Sequence, residues 1–227
     1  MATITDILAI SESISINDQR FVGQVLSRNQ RINTSEILTV VPFEITMKPM
    51  NYLYYSQNRG LLANLRYYDK SLTQYINFES TGWVNYVVYQ GSMSEGEIAA
   101  CQWQTSSANK NLVLGNLPSI DAGAYIVRTG DFCQVGLYSY IATQDVLRGS
   151  GSTVTIPVHR NLISPVLSPI NAVIGQYGTT VSMGGTNYTG ITIPVILKQY
   201  PTYTLNPITN DSFIAWNGDF VAFEAVL

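Results

Sequence analysis

Residues 125–160 read YIVRTGDFCQVGLYSYIATQDVLRGSGSTVTIPVHR, a succession of short strand-like segments broken at Gly130, at Gly136 and at the turn Gly149-Ser150-Gly151-Ser152. Glycine at such intervals interrupts any long helix, because each one costs about 1 kcal/mol relative to alanine. Val154, Ile156 and Val158 alternate with Thr153, Thr155 and Pro157, the two-residue period of a strand with one face in a core. The stretch carries an architectural pattern and no recognisable chemistry. Most of the chain repeats that message.

A chain of 227 residues can bury on the order of 70% of its unfolded surface, enough for one β-rich domain or two small packed ones without covalent staples. Only 12% of the residues are charged, while 15 are tyrosine; about 25% charged is usual. Amides and hydroxyls lose less hydration free energy than ions when a partner covers them, so such a surface suits protein–protein contact. With 12 basic against 15 acidic residues, a net charge of -3 and no basic run, nothing would neutralise a line of phosphates. No sequence-specific nucleic acid is expected as a partner.

The opening MATITDILAISESISIND has no cationic lead and no apolar run of seven, so no secretion signal is expected. No 18 apolar residues run together, and no membrane span or membrane partner is expected. Cys101 and Cys133 lack CxxC spacing and a companion histidine, which points to buried free thiols instead of a metal site. The Asn-x-Ser/Thr matches at Asn33, Asn187 and Asn210 mean little without a secretory route.

Residues 1–30 read as an N-terminal arm or edge segment: Ile4, Ile7 and Leu8 have helical spacing, and Ile10, Ile14 and Ile16 alternate irregularly with polar residues. Ile37, Val41, Phe43, Ile45 and Met47 predict a strand running to Pro49, with Pro42 placing it at an edge or bulge. Met50, Tyr54, Leu61, Leu65 and Tyr68 predict the one principal helix, about residues 51–68, with Gly60 as its weak point. Residues 73–78 read as a strand. Residues 82–89 also read as strand, Ser94 opens a short helix with Glu97 as its capping partner, and residues 111–117 return to strand. Pro165 and Pro169 mark residues 161–172 as a connection. Hairpins are expected about Gly184-Gly185 and about Asn217-Gly218, and residues 220–227 alternate in a way that pairs them into a sheet. The fold class is mainly β, a β-sandwich or β-barrel of antiparallel strands, with a β-rich body over 31–227 divisible into 31–120 and 121–227.

The order of these segments resembles a known family. A strand ending in Lys48-Pro49-Met50, a helix containing Asn58-Arg59-Gly60-Leu61-Leu62-Ala63-Asn64-Leu65-Arg66, and Gln74-Tyr75-Ile76-Asn77-Phe78 look like the N-terminal part of the distal tail and related minor tail proteins of tailed phages. Thr129-Gly130-Asp131-Phe132, the hairpin from Leu137 to Tyr140, Val146 and the run from Gly151 to Arg160 are similar to the second half of the same proteins. The resemblance covers roughly half of the chain. It implies a structural protein of the virion tail, assembled in the host cytoplasm. Its partners would be copies of itself in a cyclic ring, commonly a hexamer, and the neighbouring tail tube, hub or baseplate proteins. Another neck or collar ring component is the nearby alternative.

Residues able to carry chemistry are few. His159 is the only imidazole, set between Val158 and Arg160, and reads as a strand-end side chain facing solvent or a neighbouring subunit, not as part of a nucleophilic triad. Glu95 with Glu97, or Asp131 with Asp145, could be paired for glycoside hydrolysis, but among 15 scattered acidic residues such pairs arise by chance. Asp131 after Gly130 reads as a turn residue bonded to its own backbone, not a Ca²⁺ ligand. The glycine-rich turns lack the lysine and helix of a phosphate cradle. No catalytic residue, cofactor-binding residue or metal ligand is assigned, and no enzyme activity is expected. Tyr52, Tyr54, Tyr55, Tyr67 and Tyr68 read as interface or core aromatics. The alternative from another class is a carbohydrate-binding β-sandwich of a receptor-binding appendage, stacking sugars on residues such as Tyr54 and Trp83.

Overall fold

A computed structural model describes residues 4–18, 22–26, 32–36, 41–67, 72–79, 84–107 and 109–226. It is mainly β and antiparallel throughout, with few helices. Two hydrophobic cores organise it. One lies on a five-stranded sheet in the order Ser11–Asp18, Phe43–Pro49, Phe220–Glu224, Thr192–Gln199, Gln74–Asn77. Phe43, Ile45 and Met47 are each at most 1% exposed while their neighbours Glu44, Thr46 and Lys48 are not buried, so the two-residue period of the sequence has become an inside and an outside. The short helix Ile4–Ala9 lies against this sheet through Ile4, Ile7 and Leu8. Gln74 caps it by accepting the Ile4 N–H at 2.8 Å. The N-terminal segment is thus partly core and partly edge strand: Ser11–Asp18 pairs with Phe43–Pro49 alone, but the helix before it is sealed. Beyond this ladder the chain forms a second, two-stranded ladder of Val22–Leu26 with Ile32–Glu36.

The second core draws on residues from Tyr89 to Tyr177, on both sides of position 120. Its frame is two four-stranded sheets. One orders Tyr138–Ile141, Phe132–Val135, Val173–Ile174 and Tyr177–Gly178; the other orders Thr153–Pro157, Asn111–Gly115, Gln102–Trp103 and Ile170–Asn171. In Thr153–Pro157 the expected face holds, with Ile156 buried and Thr153 and Thr155 exposed. Chain order places this body between Gln74–Asn77 and Thr192–Gln199, which are neighbours in the first sheet. It is an excursion of the chain between two paired strands.

Buried polar groups tie the two bodies together. Gln134 accepts the Thr192 N–H at 2.8 Å and donates to the Thr192 carbonyl at 2.9 Å, standing in for a strand partner. Arg160 and Glu224, both with fully buried side chains, form a two-pronged ion pair at 2.5 and 2.7 Å.

Several sequence expectations are corrected. Residues 84–87 form a helical turn, Val84–Val87, where a strand was expected. After it the backbone has no strand partner because side chains take its donors: Gln176 accepts from Tyr89 N–H and Asp131 from Gln90 N–H. The principal helix is Tyr55–Tyr67; it starts later than expected because Leu53–Tyr54 is held in a ladder with Phe213 and Ile214. Among its described side chains Leu62 is buried at 3% and Leu61 and Leu65 are half-buried, while Met50 and Tyr54 lie outside it and exposed. Tyr68 falls outside the described residues. Asn217-Gly218 closes no hairpin, since Asp211–Asn217 and Phe220–Glu224 belong to different sheets. The Gly184-Gly185 hairpin is present, with φ of 57° and 81°, positive at both positions as a tight two-residue turn demands. The helix Glu95–Ala100 opens as expected, with Glu97 accepting from the Ser94 N–H at 2.7 Å and its hydroxyl at 2.8 Å.

Candidate assembly interface

At one end of the five-stranded sheet the chain builds a separate three-stranded sheet, ordered Thr202–Ile208, Asp211–Asn217, Leu53–Tyr54. The first two strands are joined through Thr209-Asn210, with Asn210 at φ 67°, a left-handed conformation that asparagine tolerates. Tyr52 precedes the third strand at φ 66°, a costly conformation for a bulky residue, and so turns the chain out of Phe43–Pro49. The helix Tyr55–Tyr67 follows at once, with no acidic residue in its own first turn. Asp211 supplies the missing anion from across the sheet, accepting from Ser56 N–H at 3.2 Å and from its hydroxyl at 2.6 Å. These bonds, with that from Ser212 N–H, hold the Asp211 carboxyl below its usual range.

The surface of this sheet is apolar and nearly uncharged. Tyr52 is 75% exposed, and Met50, Tyr54, Tyr55, Leu205 and Ile208 are also exposed. Phe213 gathers Tyr54 at 4.9 Å and Tyr52 at 6.0 Å between ring centroids. Asp211 is the only charged residue in the three strands. Thr202–Ile208 is an edge strand exposed at every position but Tyr203. Edge strands of soluble proteins are usually blunted with lysine, bulges or a covering loop; here Pro207 alone serves that purpose. Behind the sheet, Leu62, Leu65, Tyr200, Pro201, Tyr203, Trp216 and Phe220 line a cavity of about 200 Å³.

The candidates for catalysis are dispersed and structurally occupied. His159 does not face solvent: its side chain is 10% exposed, stacked on Phe43 at 5.2 Å, with Nδ1 accepting from Ile141 N–H at 3.0 Å and Nε2 3.4 Å from Asp18. Core packing of the ring on Phe43, invisible in a strand-end pattern, overrides the expected exposure. Asp131 is in a turn, but bonds the Arg128 N–H at 2.8 Å and the distant Gln90 N–H at 3.0 Å instead of its own. Burial raises its pKa. Asp145 accepts from Thr129 N–H and hydroxyl at 2.8 and 3.0 Å. Glu97 caps its helix and Glu95 lies beside it in the first turn. Cys101 and Cys133 are free and buried; burial pushes the Cys101 thiol up to about 11 and the Cys133 thiol up further. Among the described residues no three of His, Cys, Asp and Glu cluster as a metal site, and no helix is long and apolar enough to cross a membrane. Trp83 and the Tyr67 side chain lie outside what is described.

Hydrogen bonds lower the pKa of Glu97, Asp145 and Asp211. A carboxyl lowered on folding contributes stability above its unfolded value, about 4, that is lost as pH falls through the folded value. Asp131 has the opposite sign. We expect the acid limb of stability to fall below about pH 4, and the variant carrying Glu97→Gln, Asp145→Asn and Asp211→Asn to flatten it in urea titrations. An unchanged limb would contradict this.

The strand pair 202–217 was missed in sequence, although Pro207 and the polar Thr209-Asn210 between apolar alternations are turn signals. No protein-family model and no curated protein matches the chain.

Proposed function

We propose that this chain is a structural subunit of a tailed-phage virion, forming a cyclic ring at the junction of tail tube and baseplate. The observation that carries the reading is the three-stranded sheet at one end of the body, with an exposed, uncharged edge strand beside a tyrosine-rich apolar surface. Such an edge is a liability in a lone protein and an asset in one that pairs with its siblings. The order of segments that resembles distal tail proteins supports the tail over a neck or collar position. The neighbours in that setting are the tube, hub or baseplate proteins.

Electron microscopy and native mass spectrometry of the purified full chain test the reading. The expected result is a closed ring, of sixfold order, that persists from about 50 to 500 mM salt, because contacts between uncharged groups are little screened. A protein that stays monomeric, or rings that salt alone dissolves, would overturn it. The exposed Tyr52 ring favours the second reading, carbohydrate binding. Glycan-array binding that disappears in Tyr54→Ala while particles still assemble would establish that reading instead.

A further inference from the structure

The hairpin Val22–Leu26 with Ile32–Glu36 forms a two-stranded sheet that pairs with no other described strand. A lone hairpin is marginal in water and gains stability from a third strand. Val22–Leu26 contains no charged residue. Of the uncharged strands that edge a sheet among the described residues, Thr202–Ile208 is the longest, exposed at six of its seven positions and paired only to Asp211–Asn217.

Topology places the chain connections of these two features at opposite ends of one strand. The ladder of Ser11–Asp18 with Phe43–Pro49 closes at Asp18 opposite Phe43, and the hairpin lies in the chain between those two residues. At the other end, Pro49 leads to Leu53–Tyr54, Gln199 to Thr202–Ile208, and Asn217 back to Phe220, which pairs with Met47. All three connections of the end sheet leave from there. A seven-residue strand spans about 20 Å, so the point where the chain leaves for the hairpin, at Asp18 and Phe43, is separated by about that distance from the point where it leaves for the end sheet, beyond Pro49.

We infer that the Val22–Leu26 edge of one copy adds as a strand to the 204–208 edge of the next copy, head to tail. The inference rests on the ring reading and names its contact. The hairpin gains its third strand, the end sheet loses its open edge, and Leu205 and Ile208 are covered in the same step. Donor and acceptor are different strands of one subunit, which makes the contact heterologous, and such a contact closes into a ring when the rotation per subunit allows. Strand addition of this kind draws its affinity from main-chain hydrogen bonds, which accords with two edges that carry no charge.

Two full-length variants test it by native mass spectrometry and analytical ultracentrifugation, with circular dichroism checking that each is folded. Leu205→Lys with Asn206→Lys charges the acceptor edge. Gln24→Pro with Val25→Pro removes adjacent amides from the donor strand, so that whichever one faces outward is lost. Each alone is expected to lose the ring and run as a monomer. Mixed, they retain one intact donor and one intact acceptor, and are expected to form a heterodimer and nothing larger. Rings that persist in either variant, or a mixture that stays monomeric, would overturn the arm-to-edge contact while leaving the ring reading standing. A wild-type chain that never assembles would overturn both.

Discussion

Replacing Glu224 with alanine is expected to destabilise the protein by about 3–5 kcal/mol, the cost of stranding a buried charge without its partner. Arg160 is wholly enclosed. Its guanidinium lies 4.4 Å from the Phe43 ring centroid and 5.2 Å from that of Tyr140. It donates to Glu224, to the Val41 carbonyl at 2.5 Å and to the Ser139 carbonyl at 2.6 Å, while Glu224 also accepts the Phe43 N–H at 3.0 Å. Removing the carboxylate therefore leaves a desolvated cation and an orphaned strand amide at the junction of the two bodies. The double variant Arg160→Met, Glu224→Leu removes both charges and should recover most of the loss, since well-packed apolar pairs often match a buried ion pair. Urea midpoints measure both. A single-variant loss below about 1 kcal/mol, in the range of an exposed pair, would contradict the sealed geometry.

Trp103→Ala is expected to cost about 3–5 kcal/mol, as deletions of large buried aromatics do. Trp103 is 0% exposed in the second core, and its Nε1 donates to the Gln134 carbonyl at 2.7 Å. Gln134 is the residue whose side chain pairs with Thr192. The substitution thus opens a cavity and loosens the residue that joins the bodies. Leu167→Ala, at an 83% exposed position, serves as the control and should change stability by no more than about 0.5 kcal/mol. Equal effects of the two substitutions in thermal and urea unfolding would overturn the assignment of Trp103 to a tightly packed core.

Local pattern made much of the architecture readable. The alternation Phe43, Ile45, Met47 became the buried face of a strand, but Pro42 falls just before that strand, which lies between two neighbours and not at the edge or bulge that the proline suggested. The Ser94 and Glu97 pair became a capping box because its partners are three residues apart. What could not be read depended on distant partners. Residues 84–89 favour strand locally, yet Gln176 and Asp131 supply the acceptors that a ladder would have provided. Asn217-Gly218 has the residues of a hairpin turn, but the strands on either side find better partners in separate sheets. The candidate interface was half visible: its tyrosines stand out in the sequence, and the edge strand that makes their surface an end sheet does not.

A glycine-punctuated, sparsely charged β chain, its principal helix and its buried thiols were all written in the order of the residues, because periodicity, turn chemistry and composition are properties of neighbours. It took the folded chain to bring residues 41, 139, 160 and 224 into one sealed cluster. Folding also packed His159 against Phe43 and set the chain connections of the hairpin and of the open edge at opposite ends of the first sheet. Those outcomes come from pairing between residues far apart in the chain, where burying a charge or closing a sheet is repaid only once the partner has arrived.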